Sequence, residues 1–348
     1  MHMADALISP AVGAVMWSAS AGTIAYCSKK VRDEMDDKIV PLMGVLGAFI
    51  FAAQMINFTI PATGSSGHLG GGLLLTILLG PYAAFLVTAS VLTVQALFFA
   101  DGGLLALGCN IFNLGFFPAF IAYSLIYKKI AGPGSSQAGA SFAAITAAVA
   151  GLQLGAFCVV LETVASGTSS LPFSTFILLM QPIHLAIGIV EGLATASVIA
   201  FVYKTRPEIL GTSFQRMPAA CSLRGFILAF LAVTIVTGGI VSWFASEQPD
   251  GLEWSIEKVT GRKDVKAAHD GIHGTLASLQ GRFALLPGYS FKKDEAAPAT
   301  PTTPAESEKS ITEGSRLETS VSGITGGVLT LVIAGLIGFG LRKRGATT

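Results

Sequence analysis

Charge is what this sequence has least of. Asp, Glu, Lys and Arg supply 12% of its 348 residues, against about a quarter in ordinary soluble domains. With 52% hydrophobic residues and a mean hydropathy of +0.66, that scarcity excludes a soluble globular domain. It implies an integral membrane protein with several spans. The net charge of +1 gives no footing for nucleic-acid binding. The four cysteines, Cys27, Cys109, Cys158 and Cys221, lie far apart in apolar stretches and form no CxxC pair. They read as small packing residues, neither disulfides nor metal ligands. No Gly-Lys dipeptide occurs, so the Gly-x4-Gly-Lys-Ser/Thr phosphate loop is missing and this chain is not expected to hydrolyse ATP. No His-Glu-x-x-His occurs either, which argues against a membrane metalloprotease. The start lacks a basic region, and Asp5 and Pro10 interrupt it, so no cleavable signal peptide is expected.

What is present is a series of apolar stretches, over 10–28, 39–60, 69–80, 82–99, 104–127, 138–160, 181–203, 223–244 and 321–341. Most reach the length of about 20 residues that a bilayer core demands. The twelve residues of 69–80 cover only about 18 Å and predict a short or broken span. Basic residues then set the orientation. With the N-terminus outside, Lys29, Lys30, Arg32, Lys38, Lys128, Lys129, Lys204, Arg206, Arg216, Arg224, Arg342, Lys343 and Arg344 all fall inside. The other nine of the 22 lie between 258 and 316, in one long outer segment. That partition requires 69–80 to cross and gives nine crossings, N-terminus out and C-terminus in. The predicted fold is an all-α polytopic bundle of seven helices over 1–203, one of them short. A cytoplasmic linker at 204–222 joins it to a second part at 223–341. That part comprises a helix, an outer domain at 245–293, a disordered tether at 294–319 rich in Ala, Pro, Thr, Ser and Glu, and a last helix at 321–341.

Histidine is scarce too, five in all, and one is residue 2. A free N-terminus followed by His2 offers the α-amine, the amide nitrogen of residue 2 and imidazole Nδ1. Amine and amide close a five-membered chelate ring on a metal, and amide and Nδ1 a six-membered one. Three donors result, so a fourth must come from elsewhere, and a planar nitrogen set suits Ni(II) or Cu(II). Taken alone, a histidine at a terminus means nothing. The charge partition, however, places Met1-His2 on the same outer face as the loop 61–68, which ends in His68, and the Asp101-Gly-Gly turn. Glu162–Pro172 is expected on that face as an outer loop.

Met-His-Met-Ala-Asp-Ala-Leu-Ile-Ser-Pro-Ala-Val-Gly at 1–13 resembles the start of NikM/CbiM proteins, the substrate-binding (S) subunits of ECF-type nickel and cobalt transporters. The likeness continues in Ala-Ala-Gln-Met-Ile-Asn-Phe (52–58), Gly-Ser-Ser-Gly-His-Leu (64–69), Asn-Ile-Phe-Asn-Leu-Gly (110–115) and His-Leu-Ala-Ile-Gly-Ile-Val-Glu-Gly (184–192). Pro-Asp-Gly-Leu-Glu-Trp at 249–254 resembles the small NikN/CbiN component, here fused behind the first part. The resemblance implies that the Met1 amine, the His2 amide and imidazole, and His68 hold the metal in a plane. It also implies a transmembrane coupling (T) subunit and a pair of cytoplasmic ATPases as partners, in a bacterial or archaeal cytoplasmic membrane. Met-Ala-Asp-Ala-Leu-Ile-Ser-Pro looks more like the nickel branch, so Ni(II) is the expected transported ion and Co(II) the alternative. A passive metal channel is the competing reading from another class.

Each imidazole needs an acceptor on its second nitrogen, and Asp5, Asn57, Ser65 and Ser66 are the candidates. Gln54 and Asn57 either orient the 61–68 loop or form ordinary interhelical hydrogen bonds. His184 and Glu191, two helical turns apart, read as a structural buried pair more readily than as a metal path. His269 and His273, flanked by glycines, read as solvated surface. Met16, Met43, Met55 and Met180 read as packing. The small residues Ala14, Ser18 and Gly22, with Ala21 and Ala25, mark a face of the first span. Either another helix of this chain packs there or a coupling subunit docks.

Overall fold

The computed structural model describes residues 2–34, 39–132, 135–169, 171–206, 209–210, 222–261, 271–292 and 304–342. It is helical nearly throughout. A single turn at Asp5–Leu7 leads into α1 (Pro10–Glu34), followed by α2 (Ile39–Gln54) and a hairpin of β1 (Phe58–Ile60) and β2 (Ser65–Gly67). Next come α3 (Gly72–Leu79), α4 (Pro81–Phe99), α5 (Leu107–Ile130), α6 (Gln137–Ser166) and α7 (Phe173–Thr205). The C-terminal part holds α8 (Leu223–Gly239), α9 (Gly251–Thr260), α10 (Gly271–Phe283) and α11 (Pro304–Leu341).

Among the described residues, six helices are long and apolar enough to cross a membrane: α4, α5, α6, α7, α8 with the turn after it, and the 314–341 portion of α11. The nine crossings read from the sequence include three more segments. One is α1, long but rich in Ser, Gly and Ala; another is α2, apolar but shorter. The third is α3, the truncated span, whose eight residues are all buried. Gly71 and Gly80 bracket α3 with φ of 75° and 80°, a left-handed conformation open to glycine at little cost. The second apolar stretch also ends earlier than its composition predicts. Helix α2 stops at Gln54, and Thr59 and Ile60, β-branched and followed by Pro61, pair instead with Ser66 and Ser65.

Helices α6 and α7 pack closely where Gly188 and Gly192 meet the backbones of Val149 and Ile145. Helix α6 continues through Ser166, so Glu162 is not in an outer loop as expected. Its carboxylate is buried and accepts from Asn113 Nδ2 at 2.7 Å, a partner that lets the helix continue. The stretch predicted as a tether also differs. From Pro304 onward it is helical and continuous with the last span; Pro304 suits a first helical turn, and Ala, Glu and Lys follow it. The C-terminal part is inserted into the first: Gly44 of α2 lies against the Leu331 carbonyl of α11, and Gly326 against the Phe51 ring. Cys221 and the linker residues 211–221 lie outside the described residues.

Candidate metal site

The N-terminal segment is threaded into the bundle. Met3 is fully buried, and Asn110 of α5 clamps its backbone, accepting from Met3 N at 2.8 Å and donating to Met3 O at 3.2 Å. Gly103 N adds a bond to Met3 O at 2.9 Å. Asp5 Oδ1 accepts from Ala106 N at 2.9 Å, anchoring the segment two residues further on. The Asp101-Gly-Gly turn has that composition because Gly102 has a φ of 80° and a Cβ on Gly103 would overlap Asp5. Met1 lies outside the described residues.

This threading brings His2 to His68. Their rings stack at 4.9 Å between centroids with 30° between planes. His68 is delivered by the hairpin and held from behind. Gln54 Nε2 donates to Gly70 O at 2.8 Å, Gln95 Nε2 donates to Gln54 Oε1 at 2.8 Å, and Glu191 accepts from Gly70 N at 2.7 Å and Gly71 N at 3.2 Å. Gln54 makes both kinds of contact offered for it: an interhelical bond with Gln95 of α4 and a bond to the backbone just beyond the 61–68 loop. Glu191 is structural as well: both oxygens cap the backbone that carries His68.

His68 Nδ1 donates to Leu69 O at 3.1 Å and His2 Nδ1 to Asp101 Oδ1 at 3.0 Å. Both acceptors fix the proton on Nδ1, leaving the lone pair on Nε2. Both Nε2 atoms are buried and without a hydrogen-bond partner, an arrangement that costs free energy unless something binds there. Burial, with the nearby His2, pushes the His68 imidazole down to about 3, so it is neutral and ready to donate a lone pair at any physiological pH. Burial alone would raise the Asp101 carboxyl. Its interaction with His2, then the Tyr289 hydroxyl, holds it well below the usual carboxylate range.

The residues expected to steady the imidazoles do other work. Asp5 bonds the Ala106 amide, Ser65 bonds Thr63, and Ser66 Oγ donates to Gln248 O at 2.7 Å. Asn57 lines the cavity, and its carbonyl accepts from Ser246 N at 2.7 Å. Asp101, on the same outer face, supplies the carboxylate they were expected to provide. His184 is fully buried, its Nδ1 on Met180 O at 2.8 Å and its Nε2 unpartnered. It shares with His68 and Asp250 a small cavity of about 10 Å³. Met43 and Met180 are fully buried, as packing residues should be. Among the described residues, no group of three or more His, Cys, Asp or Glu side chains could itself hold a metal.

The C-terminal part covers the site. Ser66 N donates to Pro249 O at 2.8 Å, and Ser66 pairs with Asp250 as an isolated parallel bridge. Asp250 caps α9, accepting from Glu253 N at 2.8 Å in a capping box. Above the histidine pair lies a polar cavity of about 440 Å³, lined by His2, His68, Asp101, Asp250 and Glu253 among others. His273 is not a free surface group: its Nε2 donates to Ile8 O at 3.0 Å. His269 lies outside the described residues.

The profile of the CbiM family, described as the cobalt uptake substrate-specific transmembrane region, matches residues 2–209, and that of the PDGLE domain matches residues 224–343. The chain is 35% identical over 210 residues to a putative fused nickel transport protein NikMN of Archaeoglobus fulgidus, covering 60% of this chain and 68% of that one. It is 30% identical over 301 residues to a fused nickel transport protein NikMN of Rhodobacter capsulatus, covering 82% and 85%. A crystal structure of a truncated transition metal transporter superposes with a TM-score of 0.50 at 31% identity, covering 58% of this chain and 98% of that one. These matches agree with the buried pair of open imidazoles: the chain belongs to the CbiM family of nickel and cobalt transport components, with a PDGLE domain fused behind it.

Proposed function

We propose that this protein is the substrate-specific subunit of an ECF-type importer for Ni(II). The ion is bound at the outer face by the Met1 amine, the His2 amide and imidazole, and His68. The reading takes Met1 as the free N-terminus of the mature protein. The observation that carries it is the threading that stacks His2 on His68, with the buried His68 Nε2 left unpartnered beside it. Two imidazoles alone do not complete a coordination plane, and the backbone nitrogens of the threaded segment supply the remainder. Binding displaces protons from the amine, the amide and His2 Nδ1; the neutral His68 binds through an Nε2 that has none to give up.

Import against a gradient requires a T subunit and a pair of ATPases as partners. Support comes from α1, where Ala14, Ser18, Ala21, Gly22 and Ala25 are all exposed and nothing approaches within 4 Å of a Cβ built on Gly22. That small-residue face is left open for another chain's helix. The basic residues at the ends of the spans favour an outer N-terminus and an inner C-terminus. Import of Co(II) is the second reading, favoured by the cobalt-uptake profile that matches residues 2–209; a planar nitrogen set favours Ni(II).

The test is metal analysis of the purified full chain, with its native N-terminus and with one Ser placed before Met1. Nickel should be lost from the extended protein. Equal nickel in both would refute the amine-based site.

A further inference from the structure

One nitrogen of His2 has two claimants. In the chelate proposed above, the imidazole joins through Nδ1, the ring nitrogen near enough to the backbone to close a six-membered ring with the residue 2 amide. In the structure that nitrogen donates to Asp101 Oδ1 at 3.0 Å, and Nε2 is the unpartnered one. A carboxylate that supports a metal-bound histidine ordinarily holds the nitrogen the metal does not use. Asp101 holds the one the chelate needs.

Asp101 is itself fixed from the C-terminal part. Tyr289 Oη donates to its Oδ2 at 2.5 Å, and Gln280 Nε2 donates to the neighbouring Gly102 O at 2.7 Å. The Tyr289 ring stacks on Phe99 at 5.0 Å and 21°, and its carbonyl accepts from Ser322 Oγ of α11 at 2.9 Å. Tyr289 has a φ of 62°, a left-handed conformation that a bulky residue keeps only where its surroundings over-determine it. Stacking, hydroxyl and carbonyl contacts all converge on that one residue.

We propose that Asp101 is an internal competitor of the metal. It is a latch that holds His2 Nδ1–H in the metal-free protein and yields it as the chelate closes, the ring proton passing to Nε2 by way of solvent so that the Nδ1 lone pair meets the metal; it retakes Nδ1–H as the ion leaves. Tyr289 of the C-terminal part sets the strength of the latch, because its donated hydroxyl takes up acceptor capacity of Asp101 that would otherwise go to His2. A subunit that must deliver its ion gains from such a competitor. Breaking the latch lowers affinity on loading, and re-forming it favours release. The inference rests on the chelate reading and assigns a position-setting role to a part of the chain that contributes no metal donor.

The experiment is calorimetry of Ni(II) binding to the full chain in detergent, with Asp101→Asn and Tyr289→Phe. Asp101→Asn keeps the shape and an acceptor for the Tyr289 hydroxyl but loses the charge that grips Nδ1–H. It should bind nickel about 10-fold more tightly and release it more slowly to a chelator. Tyr289→Phe frees Asp101 to grip harder and should weaken nickel binding by about 3-fold. A purely structural role for Asp101 would weaken binding in both variants, so equal or weaker binding by Asp101→Asn overturns the latch. Unchanged or tighter binding by Tyr289→Phe overturns the tuning by the C-terminal part. In the metal-free protein, nitrogen NMR of the His2 ring should show the Nδ1–H bond to the carboxylate lost in Asp101→Asn; an unaltered spectrum overturns the proposal without reference to metal. If the N-terminal Ser leaves nickel bound, the chelate itself fails. If it abolishes binding while Asp101→Asn weakens it, only the latch fails.

Discussion

Gly103→Ala changes no metal donor, yet it should remove nickel binding. The Gly103 amide donates to Met3 O at 2.9 Å, and a Cβ at this position would overlap Asp5 at Oδ1, Cγ and N. Backbone and a buried, bonded carboxylate have no flexible end to swing aside, so the N-terminal segment itself must move. Forcing a methyl into a packed site costs about 1–3 kcal/mol. Losing the buried bond from Ala106 N to the Asp5 carboxylate adds about 1.5–3 kcal/mol. If that cost falls on seating the segment that carries His2, nickel affinity drops between about 50-fold and about 10⁴-fold. The assay is calorimetry together with nickel content after purification, and a thermal melt reports on the bundle. The melt should change little, because the helix packing of α2 to α7 does not pass through this contact. Gly22→Ala, where nothing lies within 4 Å, is the control and should behave as wild type. Wild-type nickel affinity in Gly103→Ala, with Gly22→Ala also unchanged, would refute the dependence of the site on the threaded segment.

The buried His68 gives a pH dependence whose sign can be worked out. Its folded-state value of about 3 lies below the ordinary 6.5, so between those values the unfolded chain binds more protons. Stability of the metal-free protein is therefore complete above about pH 6.5 and is lost on acidification, by about 1.4 kcal/mol per unit well inside that window. Thermal melts of wild type and His68→Gln should differ in slope between about pH 6 and 4, and parallel slopes would contradict the burial. Glu191→Gln leaves one acceptor for the two buried amides of Gly70 and Gly71. At about 1–3 kcal/mol for an unsatisfied amide, nickel affinity should fall about 5- to 150-fold in the same calorimetry; unchanged affinity would remove Glu191 from the support of His68. Gly22→Leu should abolish co-purification of the T subunit while leaving nickel binding intact, and retained co-purification would move the docking face elsewhere.

The two histidines that the fold brings together stood out in the sequence because their signal is local: His2 stands behind the first residue, and His68 closes a glycine-rich loop ahead of a truncated apolar run. Charge partition alone placed them on one face. What steadies them was not legible, because those contacts are long-range. His2 and Asp101 are 99 positions apart, and Gly70 and Glu191 are 121. Serines and Asn57 near the loop were the natural candidates, yet they serve the hairpin and its cover. Asp101 carried one available signal, as an acidic residue in a short outer turn predicted on the same face as His2. Glu162 misled for a related reason. An ionisable residue past the end of an apolar stretch reads as loop, unless its partner on another helix, here Asn113, is known.

The floor of the site bears on how the ion leaves. Next to His68 lies a cavity of about 10 Å³, walled by Leu114, Leu152, Ile187 and three glycines together with His184 and Asp250, room for about one water molecule. Of the carboxylates close by, Glu191 has both oxygens committed to backbone amides, Asp250, which lines the cavity, caps α9, and the His184 Nδ1 is held by its own helix. A hydrated divalent ion moving straight inward would have to shed its shell with little besides the open His184 Nε2 and the Asp250 carboxylate to replace it, and desolvation of that kind is costly in an apolar interior. A passive pore through this bundle is therefore the poorer reading. The open route is upward, into the cavity of about 440 Å³ beneath the C-terminal part. If the ion enters and leaves by the same mouth, delivery across the membrane requires the mouth itself to change sides, the work that the proposed function assigns to partner subunits. The exposed small-residue face of α1, the competitor carboxylate on His2 and the closed floor then belong to one physical scheme. Under the proposed function the ion is captured in a closed site, partners would turn the subunit, and release would be assisted by a ligand the protein carries within itself.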